Sequence, residues 1–177
     1  MPEPIPPVND LYTFRPATHD DFSHIWEIIL QAKTQMLREN RQQWNESYPA
    51  PEHIRADIDK GHAYVLCAEL KPLACGAVSY DGEPVYQDIE GKWLSDNPFV
   101  VVHRLAVADG AKGKGVATAF MREVEKLSMK KGVTSFKVDT NFDNYPMQKV
   151  LEKQGFTYCG EISFQRGKRM AYEKLLG

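Results

Sequence analysis

Three glycines and two lysines fall within six residues, Gly110-Ala-Lys112-Gly113-Lys114-Gly115, between an apolar run and a pattern with helical spacing. Backbone N–H groups at a helix start, glycines that let a ligand come close and flanking ammonium groups together make an anion cradle. A diphosphate is its natural guest. The upstream run, Phe99 to Val107, is β-branched and reads as a buried strand that carries His103. Downstream, Val116, Phe120, Val124 and Leu127 recur at intervals of three and four and share one helical face. Two known ways of placing glycines between strand and helix fail here. Gly110 and Gly115 have the P-loop interval, but Val116 and Ala117 stand where Lys and Ser or Thr are needed. Gly113 and Gly115 suit a dinucleotide-binding turn, with Asp139 at a tolerable distance. There, however, Thr118 replaces the third glycine, and too little chain remains to finish a doubly wound sheet.

A second block follows, running from Asp139 through Asn144-Tyr145-Pro146-Met147 and Leu151 to Gly155-Phe156. With Lys112-x-x-Gly115-x-Ala117, it resembles the GNAT superfamily of acetyl-CoA-dependent N-acetyltransferases. That family's signature is [Gln/Arg]-x-x-Gly-x-[Gly/Ala], followed by Asn-x-x-[Ala/Met] and Gly-Phe at the separation seen here. Lys112 departs from the usual Gln or Arg and keeps the positive charge. The resemblance implies acetyl-CoA (coenzyme A) as co-substrate and no metal. It implies that the loop and helix start, Lys112, Gly113, Lys114, Gly115, Val116, Ala117 and Thr118, hold the pyrophosphate, with Asn144 also at the coenzyme. It implies, too, a splay between the fourth and fifth strands, Phe99 to Val107 and Thr134 to Asp139. The main chain of Leu105, Ala106 and Val107 would then meet pantetheine and the thioester.

Acetyl transfer from a thioester needs a deprotonated amine, a donor for the oxyanion and a thiolate able to leave. Several family members carry Glu where this chain has Val101, and some carry a proton-relaying histidine at the position of His103. The residues alone leave His103 open between a base and a hydrogen-bonded core histidine, because it is expected to share a face with Val101 and Leu105. Asp139 is open between a base and a cap on the Asn141 to Asn144 turn. The family's tyrosine acid falls at Leu151, which makes Tyr145, on the first turn of the same helix, the substitute candidate. Trp44, Tyr48, Tyr80, Tyr86 and Trp93 are candidates for an acceptor pocket. The implied reaction is acetyl transfer to a primary amine of a small molecule, by direct attack in a ternary complex. A protein or peptide acceptor is one alternative, and a non-catalytic acyl-CoA sensor is the other.

The elements that must position these groups can be read along the chain. A strand from Leu11 stops at Pro16, and Thr18 to Asp21 has the shape of a capping box before an amphipathic helix carrying Ile25, Ile28, Ile29 and Met36. A shorter helix with Ile54 and Ile58 ends near Gly61, and two strands, His62 to Leu70 and Leu73 to Tyr80, turn at Lys71-Pro72. In that hairpin Cys67 and Cys75 are expected to sit opposite each other as reduced thiols. Asp81 to Pro98 is a long polar loop, of a length usually functional or mobile. Asn144 caps a helix with Pro146 in its first turn and Gly155 at its end. Phe156 to Phe164 and Lys168 to Leu176 close the chain as strands. The order β-α-α-β-β-β-α-β-α-β-β is that of the GNAT fold, an α/β (α+β) class with a mixed central β-sheet and helices on both faces.

With 177 residues, 42% apolar and 26% charged, the chain reads as one domain, 1–177, with an extended proline-rich segment over 1–10. A net charge of -2 gives no nucleic-acid or membrane footprint, and no apolar run approaches the roughly 20 residues of a membrane span. The expected location is the cytoplasm and the expected partner a small-molecule amine, with a homodimer left open.

Overall fold

The computed structural model describes residues 12–177, so the proline-rich start and Leu11 lie outside the described residues. Eight strands and four α-helices follow: β1 (Thr13–Pro16), α1 (Phe22–Arg38), α2 (Pro51–Asp59), β2 (Ala63–Ala68), β3 (Lys71–Ser79), β4 (Glu90–Gly91), β5 (Phe99–Val107), α3 (Val116–Lys130), β6 (Ser135–Thr140), α4 (Tyr145–Lys153), β7 (Thr157–Phe164) and β8 (Gly167–Leu175). They form one sheet in the order β1-β2-β3-β5-β6-β8-β7-β4. Only β5 and β6 pair in parallel; every other neighbour is antiparallel.

Strand alternation distributes the apolar residues to two faces. Leu66, Val100, Val102, Phe136 and Val138 face α3 and α4, where Phe120, Val124 and Leu151 are fully buried. Val65, Cys67, Cys75 and Ala106 face α1 and α2, meeting Ile25, Ile28, Ile29, Ile54 and Ile58. Past the end of those helices the same side is covered by the 81–98 loop, through Tyr86 on Val101, Ile162 and Ala171. The packing against α3 is close: a Cβ on Gly76 would stand 2.9 Å from Phe120 Cζ.

Three local features differ from the sequence reading. The β2–β3 turn lies at Glu69-Leu70, where Glu69 takes φ 55°, and Pro72 sits inside β3 opposite Cys67, at a register shift. A bulge tolerates a proline that a regular ladder would not. With the turn at Glu69-Leu70, Cys75 falls opposite Val65, so the two thiols are not cross-strand partners. Both are free and buried, and burial pushes the Cys75 thiol up to about 12. The 81–98 loop also has structure of its own, a 3₁₀ turn at Pro84–Asp88 and the two-residue strand β4. Strand β4 lies so close to β7 that a Cβ on Gly91 would meet the Cys159 carbonyl oxygen at 2.2 Å. Two residues carry no periodicity, which is why composition alone does not reveal β4.

The third feature opens the site. Arg104 takes φ 54°, and Cys75 pairs with Ala106 while Ala77 pairs with His103, so Arg104 and Leu105 together face Gly76. This is a β-bulge. It breaks the alternation and puts Leu105 on the α3 face with Val100 and Val102, not on the face of His103 as expected. The bulge coincides with a parting of strands. Strands β5 and β6 pair only over Phe99–Val101 and Ser135–Lys137, yet β5 runs on to Val107 and β6 to Thr140.

Candidate active site

Two clefts open at the parted strands. The first, about 570 Å³, lies between the ends of β5, α3 and α4, with Leu105, Ala106, Val107, Lys112, Gly113, Gly115, Val116, Ala117 and Thr118 on its wall. Gly113 and Gly115 take φ 76° and 74°, a conformation that favours glycine, and open space lies where a side chain would stand. Gly115 caps α3 without a side-chain bond, and the first carbonyl accepted into the helix ladder is that of Gly115, from the Ala119 N–H. The amides of Val116, Ala117 and Thr118 are therefore the orphan donors of a helix start, and all three residues line the cleft. Arg41, Lys149 and Lys153 line the same wall. Free amides at the positive end of a helix, ringed by cations, suit a diphosphate. Lys112 is drawn aside, its ammonium bonded to Gln35 and, at 2.9 Å, to Asp109. Lys114 lines neither cleft.

The second cleft, about 330 Å³, is lined by His103, Asp139, Glu83, Tyr48, Trp44 and three arginines, Arg104, Arg166 and Arg169. Met36, Leu105, Asn144 and Met147 border both clefts, which therefore meet where β5 leaves β6. Asn144 is held there by several bonds. Its carbonyl oxygen accepts from Arg41 at 2.9 Å and from the Met147 amide at 3.4 Å, and its amide donates to Gln43 at 3.1 Å.

His103 Nε2 stands 3.2 Å from Glu83 Oε2. The hydrogen bond from His103 holds the Glu83 carboxyl below its ordinary range, against the opposing effect of burial. Asp139 accepts a hydrogen bond from the Tyr86 hydroxyl at 2.6 Å. Burial first, and then the Asp139 charge, push the Tyr86 phenol well above its usual value, so it stays a donor. Arg104 grips Asp57 of α2 in a bidentate pair, 2.7 and 2.6 Å, and donates to the Tyr48 hydroxyl at 2.9 Å. That pair holds the strained φ of the bulge in place.

Of the residues singled out by sequence, His103 and Asp139 come together in one cleft, and the glycine loop with Leu105 to Val107 in the other. Tyr145 is 66% exposed and lines neither. Leu151 is fully buried against the sheet. Trp44 and Tyr48 border the second cleft, whereas Tyr80 binds Ser128 on the α3 side. Glu83 was not foreseen. The only sequence sign of it was the length of its loop. Arg166 and Arg169 gave none.

The acetyltransferase (GNAT) family profile matches residues 22–156. This chain belongs to the GNAT acetyltransferase family. A GNAT-family acetyltransferase from Streptococcus agalactiae 2603 is 32% identical, covering 94% of this chain and 96% of its own, with a TM-score of 0.86. An acetyltransferase structure from Staphylococcus aureus Mu50 is 28% identical over 93% of this chain and 99% of that one, TM-score 0.71. The NatC complex bound to Gag peptide and CoA shares the fold alone, at 14% identity and TM-score 0.65 over 94% of this chain and 99% of that one. No curated protein sequence matches. The GNAT fold accounts for the mixed sheet, the helices on both faces and the parting of β5 from β6. Among the described residues, no helix is long and apolar enough to cross a membrane, and no three His, Cys, Asp or Glu side chains converge as metal ligands.

Proposed function

We propose that the chain transfers acetyl from acetyl-CoA to a primary amine of a small molecule, by direct attack within a ternary complex. The supporting observation is the meeting of the two clefts at Leu105, Asn144 and Met147. Coenzyme A lies in the first, its pyrophosphate on the amides of Val116 to Thr118, and the acceptor enters the second. An ammonium has no lone pair, so it must lose a proton before it attacks. Assigning the proton of the neutral imidazole to Nε2, 3.2 Å from Glu83, leaves the lone pair of His103 on Nδ1, which takes the ammonium proton directly or through water; the Glu83 carboxylate steadies the imidazolium that forms. The amine nitrogen bonds to the thioester carbon, and a β5 amide freed by the splay meets the oxyanion. As the C–S bond breaks, the nitrogen gives its second proton to water to become the neutral amide, and the sulfur leaves as a thiolate that takes a proton back from the same water. A thiol pKa of about 8.5 makes that state only about 2 kcal/mol uphill at neutral pH, so no side-chain acid is required at Leu151.

The test is thiol release from acetyl-CoA across panels of small amines and of peptides. Turnover is expected with the small amines. His103→Ala should lower kcat by roughly 10²–10⁴-fold while acetyl-CoA affinity stays nearly constant. A folded His103→Ala protein with unchanged turnover removes His103 from the mechanism, and turnover confined to peptides overturns the acceptor class.

A further inference from the structure

One charged group in the acceptor cleft has no part in the chemistry above. Arg169 is 5% exposed and lines the cleft, yet among the described residues its guanidinium has no hydrogen-bond or ion-pair partner. The Phe164 ring lies 5.8 Å away. Five N–H donors on a buried planar fork are costly to leave unmet. Each of its nitrogens keeps some contact with solvent, so a ligand that enters the cleft displaces water from the fork and must replace the hydrogen bonds that water made. Burial pulls its pKa below the usual guanidinium value, with the Asp139 charge, which is not bonded to it, opposing.

The other charges of the cleft are accounted for. Arg104 is saturated by Asp57 and Tyr48. Glu83 has His103, and Asp139 has Tyr86. Arg166, on the turn before Arg169, lies 3.5 Å above the Tyr48 ring and donates one N–H to the Gln43 carbonyl at 3.2 Å, keeping the rest of its fork free. Two guanidiniums with open donors therefore border one small cleft, and neither acid in it is bonded to them. A planar fork matches a carboxylate in bidentate fashion.

Resting on the acetyl-transfer reading, the geometry points to an acceptor of the amino-acid type. Its carboxylate is taken by Arg169, with Arg166 at the rim, and its amine is left toward His103. A simple alkylamine would leave the Arg169 donors unmet, and this penalty is what selects against it.

Two measurements test this. The first compares free L-α-amino acids with their carboxamides as acceptors in the thiol-release assay. At least tenfold higher kcat/KM is expected for the carboxylates, and Arg169→Gln should remove that preference through a rise in the KM of the carboxylate acceptors. Arg169→Lys, which keeps the charge without the fork, should retain part of the preference. The second measurement does not depend on catalysis. N-acetyl-amino acids and their amides are titrated with coenzyme A present, read by the fluorescence of Trp44 at the cleft wall. Binding of the acids over the amides, weakened at least tenfold by Arg169→Gln or, should that variant not fold, about threefold or more by the exposed-rim change Arg166→Gln, supports the subsite. Equal binding of acids and amides, or a preference untouched by the variants, overturns it. Selective binding without turnover of any amine keeps the carboxylate subsite and removes the acetyl-transfer reading instead.

Discussion

His103 and Glu83 are each largely covered, with 24% and 20% of their side chains exposed, so solvent screens their contact less than it would a surface pair. The Glu83 carboxyl is held below its ordinary value, about 4.3, chiefly by the His103 bond. Between the folded and ordinary values the unfolded chain binds more protons, so stability rises with pH across that window. The contribution is complete above about pH 4.3 and is lost as pH falls through the folded value. Glu83→Gln is expected to lower the melting temperature by a constant amount between about pH 6 and 8, with the gap closing below about pH 4. It should also lower kcat by less than the roughly 10²–10⁴-fold assigned to the base itself. Calorimetry over pH, with turnover at pH 7, checks both; a gap that widens in acid would show that the carboxylate form of Glu83 is not the one the fold stabilises. At this scale the sequence is a partial guide. His103 and Asp139 were legible because they sit on long apolar strands whose ends the resemblance marks. Glu83 was not, because it reaches His103 from a loop 20 residues away, and nothing in a loop's composition fixes which way one carboxylate turns.

Strand β5 owes its shape to a partner far along the chain. Arg104 stands at φ 54°, a conformation that costs an L-residue roughly 1–2 kcal/mol, and its two bonds to Asp57 at 2.6 and 2.7 Å keep it there. Asp57→Ala strands a largely buried guanidinium, and a loss of about 3–5 kcal/mol is expected. Adding Arg104→Gly should recover part of that loss, because glycine takes a positive φ freely and leaves no unpaired charge. Urea denaturation of the two single variants and the double closes the cycle. A double variant no more stable than Asp57→Ala would mean that the bulge carries no strain. Long periodic elements such as α1, α3 and β5 were readable because burial repeats along them. The bulge, the Glu69-Leu70 turn and β4 were not, since each depends on which residue lies opposite in the sheet. The expected placing of Leu105 beside His103 failed for that reason.

Over the whole molecule, two helical layers and a loop cover one sheet, and the coenzyme cleft falls where the sheet is cut. A ligand that binds only the folded chain stabilises it by about 2.7 kcal/mol at a hundred times its Kd. For a chain of this size each kcal/mol is worth roughly 2–4 °C, so acetyl-CoA at that level should raise the melting temperature by about 5–10 °C. Gly115→Glu puts bulk and negative charge on the helix start and should abolish the shift while the ligand-free protein still melts cooperatively; a full shift in that variant would remove the helix start from coenzyme binding. The parting of β5 from β6 carries one more consequence, for the exchange of backbone hydrogens with deuterated water. Beyond Val101 and Lys137 each of these strands keeps a neighbour on one side only, β3 for β5 and β8 for β6. Amides that point to the kept neighbour are locked, and those that point into the gap have no carbonyl to hold them. Residue-by-residue exchange in the ligand-free protein should therefore alternate slow and fast along 138–140 and, on either side of the Arg104-Leu105 bulge, along 102–107. Coenzyme A should erase the alternation on β5 first, marking which amides close on the ligand.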